Sequence, residues 1–124
     1  FIIFDYGEKY PRNDFSCRVY EKHNVIPIFD KEINLKKLYQ KTDITYDVNF
    51  QYVIDSFENI GVKNTSFETQ LKALVSFGII ELLEILYNNV DNKTYLSEAN
   101  KVKTLLNPIG MGDRFKMASF RQSK

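Results

Sequence analysis

Cys17 and His23 are the single cysteine and the single histidine of the chain. Nucleophilic catalysis would need them within hydrogen-bond reach. In an extended segment a separation of six residues spans about 20 Å, so the dyad fails on geometry. Cys17 reads instead as a small buried hydrophobe. The same scarcity removes a Cys/His zinc set, and the acidic residues show no calcium-loop spacing, so no metal centre is expected. Gly110-Met111-Gly112 resembles a phosphate loop, but a dinucleotide fingerprint follows a strand and opens a helix. Here a helical pattern precedes it, an extended one follows, and Phe115 takes the third glycine position. It reads as a tight turn. Asp5-Tyr6-Gly7 matches the kinase metal-binding tripeptide, with no other kinase motif beside it.

Asp5 and Tyr6 invite chemistry for another reason. They follow the apolar run Phe1-Ile2-Ile3-Phe4, and open α/β sheets bind ligands beyond the carboxyl ends of their strands. Asp5 could equally be a loop cap. His23 reads as an ordinary loop histidine, and Asp43-Ile44-Thr45 as an Asx-type turn before a helix. Singly, these residues decide nothing.

The elements that must position them are partly legible. The continuous apolar run at Phe1 to Phe4 predicts a strand covered on both faces. It starts without methionine and has no partner strand before it, which reads as a chain cut in mid-fold. Residues 24 to 48 have no clean period beyond a helical turn near Leu35, Leu38 and Tyr39. Asn49 caps a predicted helix whose Phe50, Val53, Ile54 and Phe57 form one stripe, closed at Gly61. Val62 to Phe67 predicts a strand. A helix from Thr69 carries Leu71, Leu74, Val75, Ile79, Leu82, Leu83 and Leu86, widened by Ile80 and Ile85, so two neighbours should cover it. Phe57 and Leu82 should be buried, each central on its stripe. A further helix is predicted from Ser97 to Leu106 and a closing strand from Arg114 to Phe120. The order of elements is that of an α/β fold.

The composition narrows the class. Lys+Arg 17 against Asp+Glu 16 gives no positive field for nucleic acid. Lys72, Glu81 and Glu84 interrupt the most apolar region, and each charge costs roughly 2.5–3.5 kcal/mol at a bilayer centre, so no membrane span is expected. A lone cysteine suits a reducing compartment.

Taken in order, five pieces resemble the MidA-type S-adenosylmethionine-dependent methyltransferases, a family that includes the mitochondrial complex I assembly arginine methyltransferase. Its strand ending I-D-Y-G is matched by Phe4-Asp5-Tyr6-Gly7, and T-L-x-x-Y-x-x-H in part by Ser16 to His23. D-[IL]-T-x-x-V-x-F is matched by Asp43, Ile44, Thr45, Val48 and Phe50. The T-Q pair is matched by Thr69-Gln70, and M-G-x-x-F-K-V by Met111-Gly112 and Phe115-Lys116-Met117. The match spans the chain. It departs where Asp14-Phe15 replaces a glycine pair, where residues 30 to 41 form a charged insertion, and at Asp47, a histidine in many members.

The resemblance implies a Rossmann-like methyltransferase fold of which residues 1–124 supply the carboxyl-terminal portion, strands five to seven in a small mixed sheet with packed helices. The cofactor, S-adenosyl-L-methionine, would be bound by an amino-terminal half outside the chain, leaving this portion inactive alone. The acceptor it implies is an arginine of a complex I subunit, in the bacterial cytoplasm or the mitochondrial matrix. Asp5 and Tyr6 would be catalytic, and His23, Asp43 and Thr45 would bind substrate, with none singled out as the base. The rival reading is a non-catalytic split-gene remnant or an interaction subunit. Either way the first strand's open edge invites self-association. The resemblance also implies that the last strand lies between the other two, antiparallel to both.

Overall fold

The computed structural model describes residues 1–10, 13–21, 24–31 and 33–122. Its main sheet joins β1 (Ile2–Glu8), β5 (Val48–Asn49), β6 (Val62–Thr69) and β7 (Phe115–Gln122) in the order β5-β1-β7-β6. β7 lies between β1 and β6 and is antiparallel to both, as expected. β5 pairs parallel with β1, making the sheet mixed.

Helix α2 (Phe50–Glu58) builds the core beneath this sheet. Its cap is Asn49, whose side chain accepts the Tyr52 amide proton at 3.2 Å. The stripe then places Phe50 and Ile54 against Ala118 and Phe120 of β7, with Phe57 half-buried at the margin. Gly61 follows in the left-handed region at φ +81°, turning the chain into β6.

β1 is not covered on both faces. Ile3 packs on the α2 core, but Ile2 is 51% and Phe4 38% exposed. β5 reaches β1 only at Gly7 and Glu8, so among the described residues the edge beside Ile2 to Tyr6 has no partner strand. A continuously apolar strand is usual where both faces are packed, and here the second face has no cover.

The unreadable region forms a second sheet of β2 (Arg18–Glu21), β3 (Asn24–Pro27) and β4 (Asp43–Thr45), ordered β3-β2-β4. Asp43-Ile44-Thr45 is therefore a strand paired with β2, not a turn. The ladder hydrogen bonds and the full burial of Val19 fix this hairpin stack; its short, charged strands have no periodicity to announce them. Helix α1 (Leu35–Leu38) buries nothing.

The helix expected from Thr69 to Leu86 is two. α3 (Gln70–Ser76) ends before Gly78, whose φ of +89° breaks the rod, and α4 (Ile79–Asn89) starts there. Leu82 is 58% exposed, against expectation, because α4 packs chiefly on α3 and α5 and these leave that position open. α5 (Asn92–Leu106) begins earlier than predicted because Asp91, rather than Ser97, caps it. Gly110-Met111-Gly112 is no simple turn either: α6 (Met111–Arg114) coils there. A Cβ on Gly112 would run into the Leu106 carbonyl, so the glycine lets α6 seat on the end of α5.

Candidate substrate-binding cavity

The carboxyl end of β1 faces a cavity of about 280 Å³ lined by Tyr6, Gly7, Glu8, Arg18, Tyr20, Val25, Asp47 and Arg114. Gly7 makes this corner possible. Its Cα opposes Val48, and a Cβ there would lie 2.9 Å from the Val48 backbone nitrogen and carbonyl carbon. Glycine alone lets β5 come this close, and β5 carries Asp47 to the cavity on its approach.

Asp47 meets Arg18 across the cavity, with Nη1 to Oδ1 at 2.7 Å. The same Nη1 donates to the Ser16 carbonyl at 2.9 Å, and Nε donates to the Tyr20 hydroxyl at 3.2 Å. The Asp47 amide donates to Ser16 Oγ at 3.0 Å, locking the approach to β5 onto the approach to β2. Burial pulls the Arg18 pKa down, but the hydrogen bonds to Tyr20 and Asp47 and the Asp47 charge outweigh it and leave it above the ordinary value. The guanidinium thus stays charged, and its bond to Asp47 clamps the second sheet to the first.

Two motif residues of β7 support the lining residues Tyr6 and Glu8. The Phe115 ring packs on Tyr6 with centroids 3.8 Å apart. Lys116, the second residue of β7, is buried, and its ammonium donates to the Asp113 carbonyl and to Glu8 Oε1, the latter at 3.3 Å. Glu8 is braced from below while more than half its side chain stays exposed. A carboxylate beside the rings of Tyr6 and Tyr20 can receive a flat cationic group.

The sequence-predicted residues are distributed over this frame. Tyr6 lines the cavity. Asp5 lies in mid-strand, because β1 runs on to Glu8; it is exposed and its Oδ1 accepts the Tyr6 amide proton at 2.7 Å. Asp43 opposes Tyr20 and Thr45 opposes Arg18 on the neighbouring strand, one strand away from the cavity lining. The Thr45 hydroxyl oxygen is buried without a hydrogen-bond partner among the described residues. His23 lies outside the described residues, so the Cys17–His23 pair has no described geometry; Cys17 lines a neighbouring cavity of about 210 Å³. Glu8, Arg18 and Arg114 were not foreseen. Only Glu8 left a signal, directly after Asp5-Tyr6-Gly7; Arg18 and Asp47 are 29 residues apart and meet through pairing alone. Among the described residues no cluster of metal-ligating side chains occurs, and no helix is long and apolar enough to cross a membrane.

No protein-family model and no curated protein matches the chain. Solved structures do. An uncharacterized COG1565 superfamily protein from Burkholderia thailandensis superposes with a TM-score of 0.78 at 22% identity, over 98% of this chain and 32% of that one. A second solved structure, of a COG1565 superfamily member from the same organism described as a candidate methyl transferase and bound to S-adenosyl-homocysteine, gives 0.77 at 22% identity, over 98% and 31%. The fold is a segment of the Rossmann-like methyltransferase kind. The chain spans about one third of the length of these solved chains, and at this identity the likeness speaks for fold alone.

Proposed function

We propose that residues 1–124 are the carboxyl-terminal portion of an S-adenosylmethionine-dependent protein methyltransferase. The observation that supports this most is the superposition, over 98% of the chain, on a protein three times longer that holds S-adenosyl-homocysteine. The ordered motifs point the same way.

The chain's own residues do not fit the cofactor. Such a ligand needs the amides of a tight glycine turn between strand and helix and a carboxylate for its ribose. Here β5 and β6 enter α2 and α3 directly through Asn49 and Thr69, with no glycine between. Cofactor binding is therefore assigned to a segment preceding Phe1, and this chain is assigned the acceptor side. In this reading Tyr6, with Asp5 behind it, stands nearest the reacting centre, and His23, Asp43 and Thr45 are assigned to substrate binding on the strength of the motifs. Glu8 would orient an acceptor guanidinium between the tyrosine rings, since positioning supplies much of the rate in such transfers. An arginine of a complex I subunit is the acceptor that the motifs suggest, in the bacterial cytoplasm or the mitochondrial matrix.

Calorimetric titration tests the division of labour. The chain alone should give no saturable heat with micromolar S-adenosylmethionine, while a protein in which it follows a cofactor-binding half should. A micromolar dissociation constant for the chain alone would overturn the division. A longer protein that binds no cofactor would overturn the methyltransferase reading.

A further inference from the structure

We infer that Arg114 is a specificity-determining residue of the cavity and pairs with a carboxylate carried by the acceptor segment. The inference rests on the reading of Glu8 as the seat of the acceptor guanidinium, and deepens it. Among the described residues, the charged side chains lining the cavity are Glu8, Arg18, Asp47 and Arg114. Arg18 and Asp47 answer each other at 2.7 Å, and Glu8 is held by Lys116 at 3.3 Å. Arg114 is left over. Its side chain makes no ion pair and no hydrogen bond with any described residue.

Two features give this arginine a use in the cavity. The first is place. Phe115 opens β7 and is the register partner of Tyr6, so Arg114, one residue earlier, stands where β1 passes on to Gly7 and Glu8. The second is that its ordinary work at a helix end is done by another residue. Basic side chains near the end of a helix take up its last carbonyls, and at the end of α6 the Lys116 ammonium takes the Asp113 carbonyl. Exposed and with nothing to brace, Arg114 offers its planar fork of donors to a carboxylate. With a guanidinium on Glu8, the complement is an acceptor segment that is positive at its centre and negative close by. In an extended segment, residues two apart point the same way at a spacing of about 6.8 Å. The carboxylate therefore belongs to the second residue before or after the acceptor. A basic residue there would meet Arg114 with like charge, which rejects the wrong segment as well as favouring the right one.

Fluorescence anisotropy with labelled peptides tests this. The probes are acetylated, amidated peptides whose central arginine has glutamate, alanine or lysine two residues away on both sides. The parent chain should bind the glutamate peptide about tenfold more tightly than the lysine peptide, with the alanine peptide between them. Arg114→Gln should abolish the preference and Arg114→Glu should reverse it, both with unchanged thermal melts because the side chain is exposed. Glu8→Gln should weaken all three peptides and keep their order. Equal binding of the three by the parent, or a preference untouched by both Arg114 variants, would overturn the inference and leave the reading of Glu8 standing. A parent that binds no arginine peptide would sink both. A preference present in the chain but lost in a longer, cofactor-binding protein would assign the carboxylate to the preceding segment instead of the acceptor, and the inference would fall.

Discussion

Arg18 and Asp47 show how much a single contact carries here. Both side chains are about four-fifths buried, so Asp47→Asn strips a charged partner from a guanidinium that has few alternatives in solvent. The expected loss is about 1.5–3 kcal/mol, the range for a hydrogen bond to a charged group, measured by urea unfolding. Asp43→Asn, at an exposed strand position, should change stability by less than about 0.5 kcal/mol; equal losses at both positions would refute the assignment of the clamp to Asp47. Gly7 offers a second contrast at this scale. Gly7→Ala forces a methyl group into the Val48 backbone and should cost about 1–3 kcal/mol as overpacking while opening the β5 side of the cavity. Gly61→Ala meets nothing within 4 Å and should cost about 1–2 kcal/mol through its left-handed backbone alone. Thermal melts read both, and a new cavity geometry in crystals is expected for the first only.

Helix ends and stripes set the behaviour of the elements. Asp91 caps α5 by accepting the amide protons of Lys93 and Thr94 at 2.9 and 3.1 Å and the Thr94 hydroxyl at 2.7 Å. The Thr94 hydroxyl bond, then the Thr94 amide bond, hold its pKa below the ordinary 3.8. A carboxylate lowered by folding contributes stability above its unfolded value and loses it as pH falls through its folded value. The melting difference between the parent and Asp91→Ala should therefore be full at neutral pH and shrink below pH 3.8; a difference that grows in acid would contradict the cap. The stripes separate likewise. Phe57 packs on Phe120 with ring centroids 4.7 Å apart, and Phe57→Ala should cost about 2–3 kcal/mol, less than the 3–5 of a fully buried ring. Leu82→Ala should cost under about 0.5 kcal/mol in the monomer, since its side chain has little packing to lose.

At the scale of the molecule, β7 is bonded on both sides over most of its length, to β1 from Phe115 to Ser119 and to β6 from Lys116 to Gln122. Hydrogen exchange should be slowest there and faster in the second sheet, whose strands are no longer than four residues. If a preceding segment completes the sheet, its addition should slow exchange in β1 beside Ile2 to Tyr6, and unchanged exchange there would refute a partner strand at that edge.

The main sheet and its helix were legible because their residues speak locally. Asn49 caps, Phe50, Val53, Ile54 and Phe57 repeat at helical spacing, Gly61 turns, and the apolar runs at each end read as strands. The motif residues were legible as types too: Thr69 caps α3 while Gln70 donates to the Leu105 carbonyl at 2.9 Å, and Gly112 yields to the end of α5. The second sheet was not, because β2, β3 and β4 are too short to show a period and exist through pairing with one another. The break at Gly78 stayed hidden inside a run of helix formers, since a left-handed glycine leaves the apolar spacing on either side intact. The cavity was half legible. Tyr6 was placed by the strand that carries it, but Arg18, Asp47 and Glu8 become neighbours only when Gly7 lets β5 close on β1 and Lys116 rises beneath them from the far end of the chain. Ion pairs between residues so distant in sequence depend on register and burial, and those are properties of the folded chain.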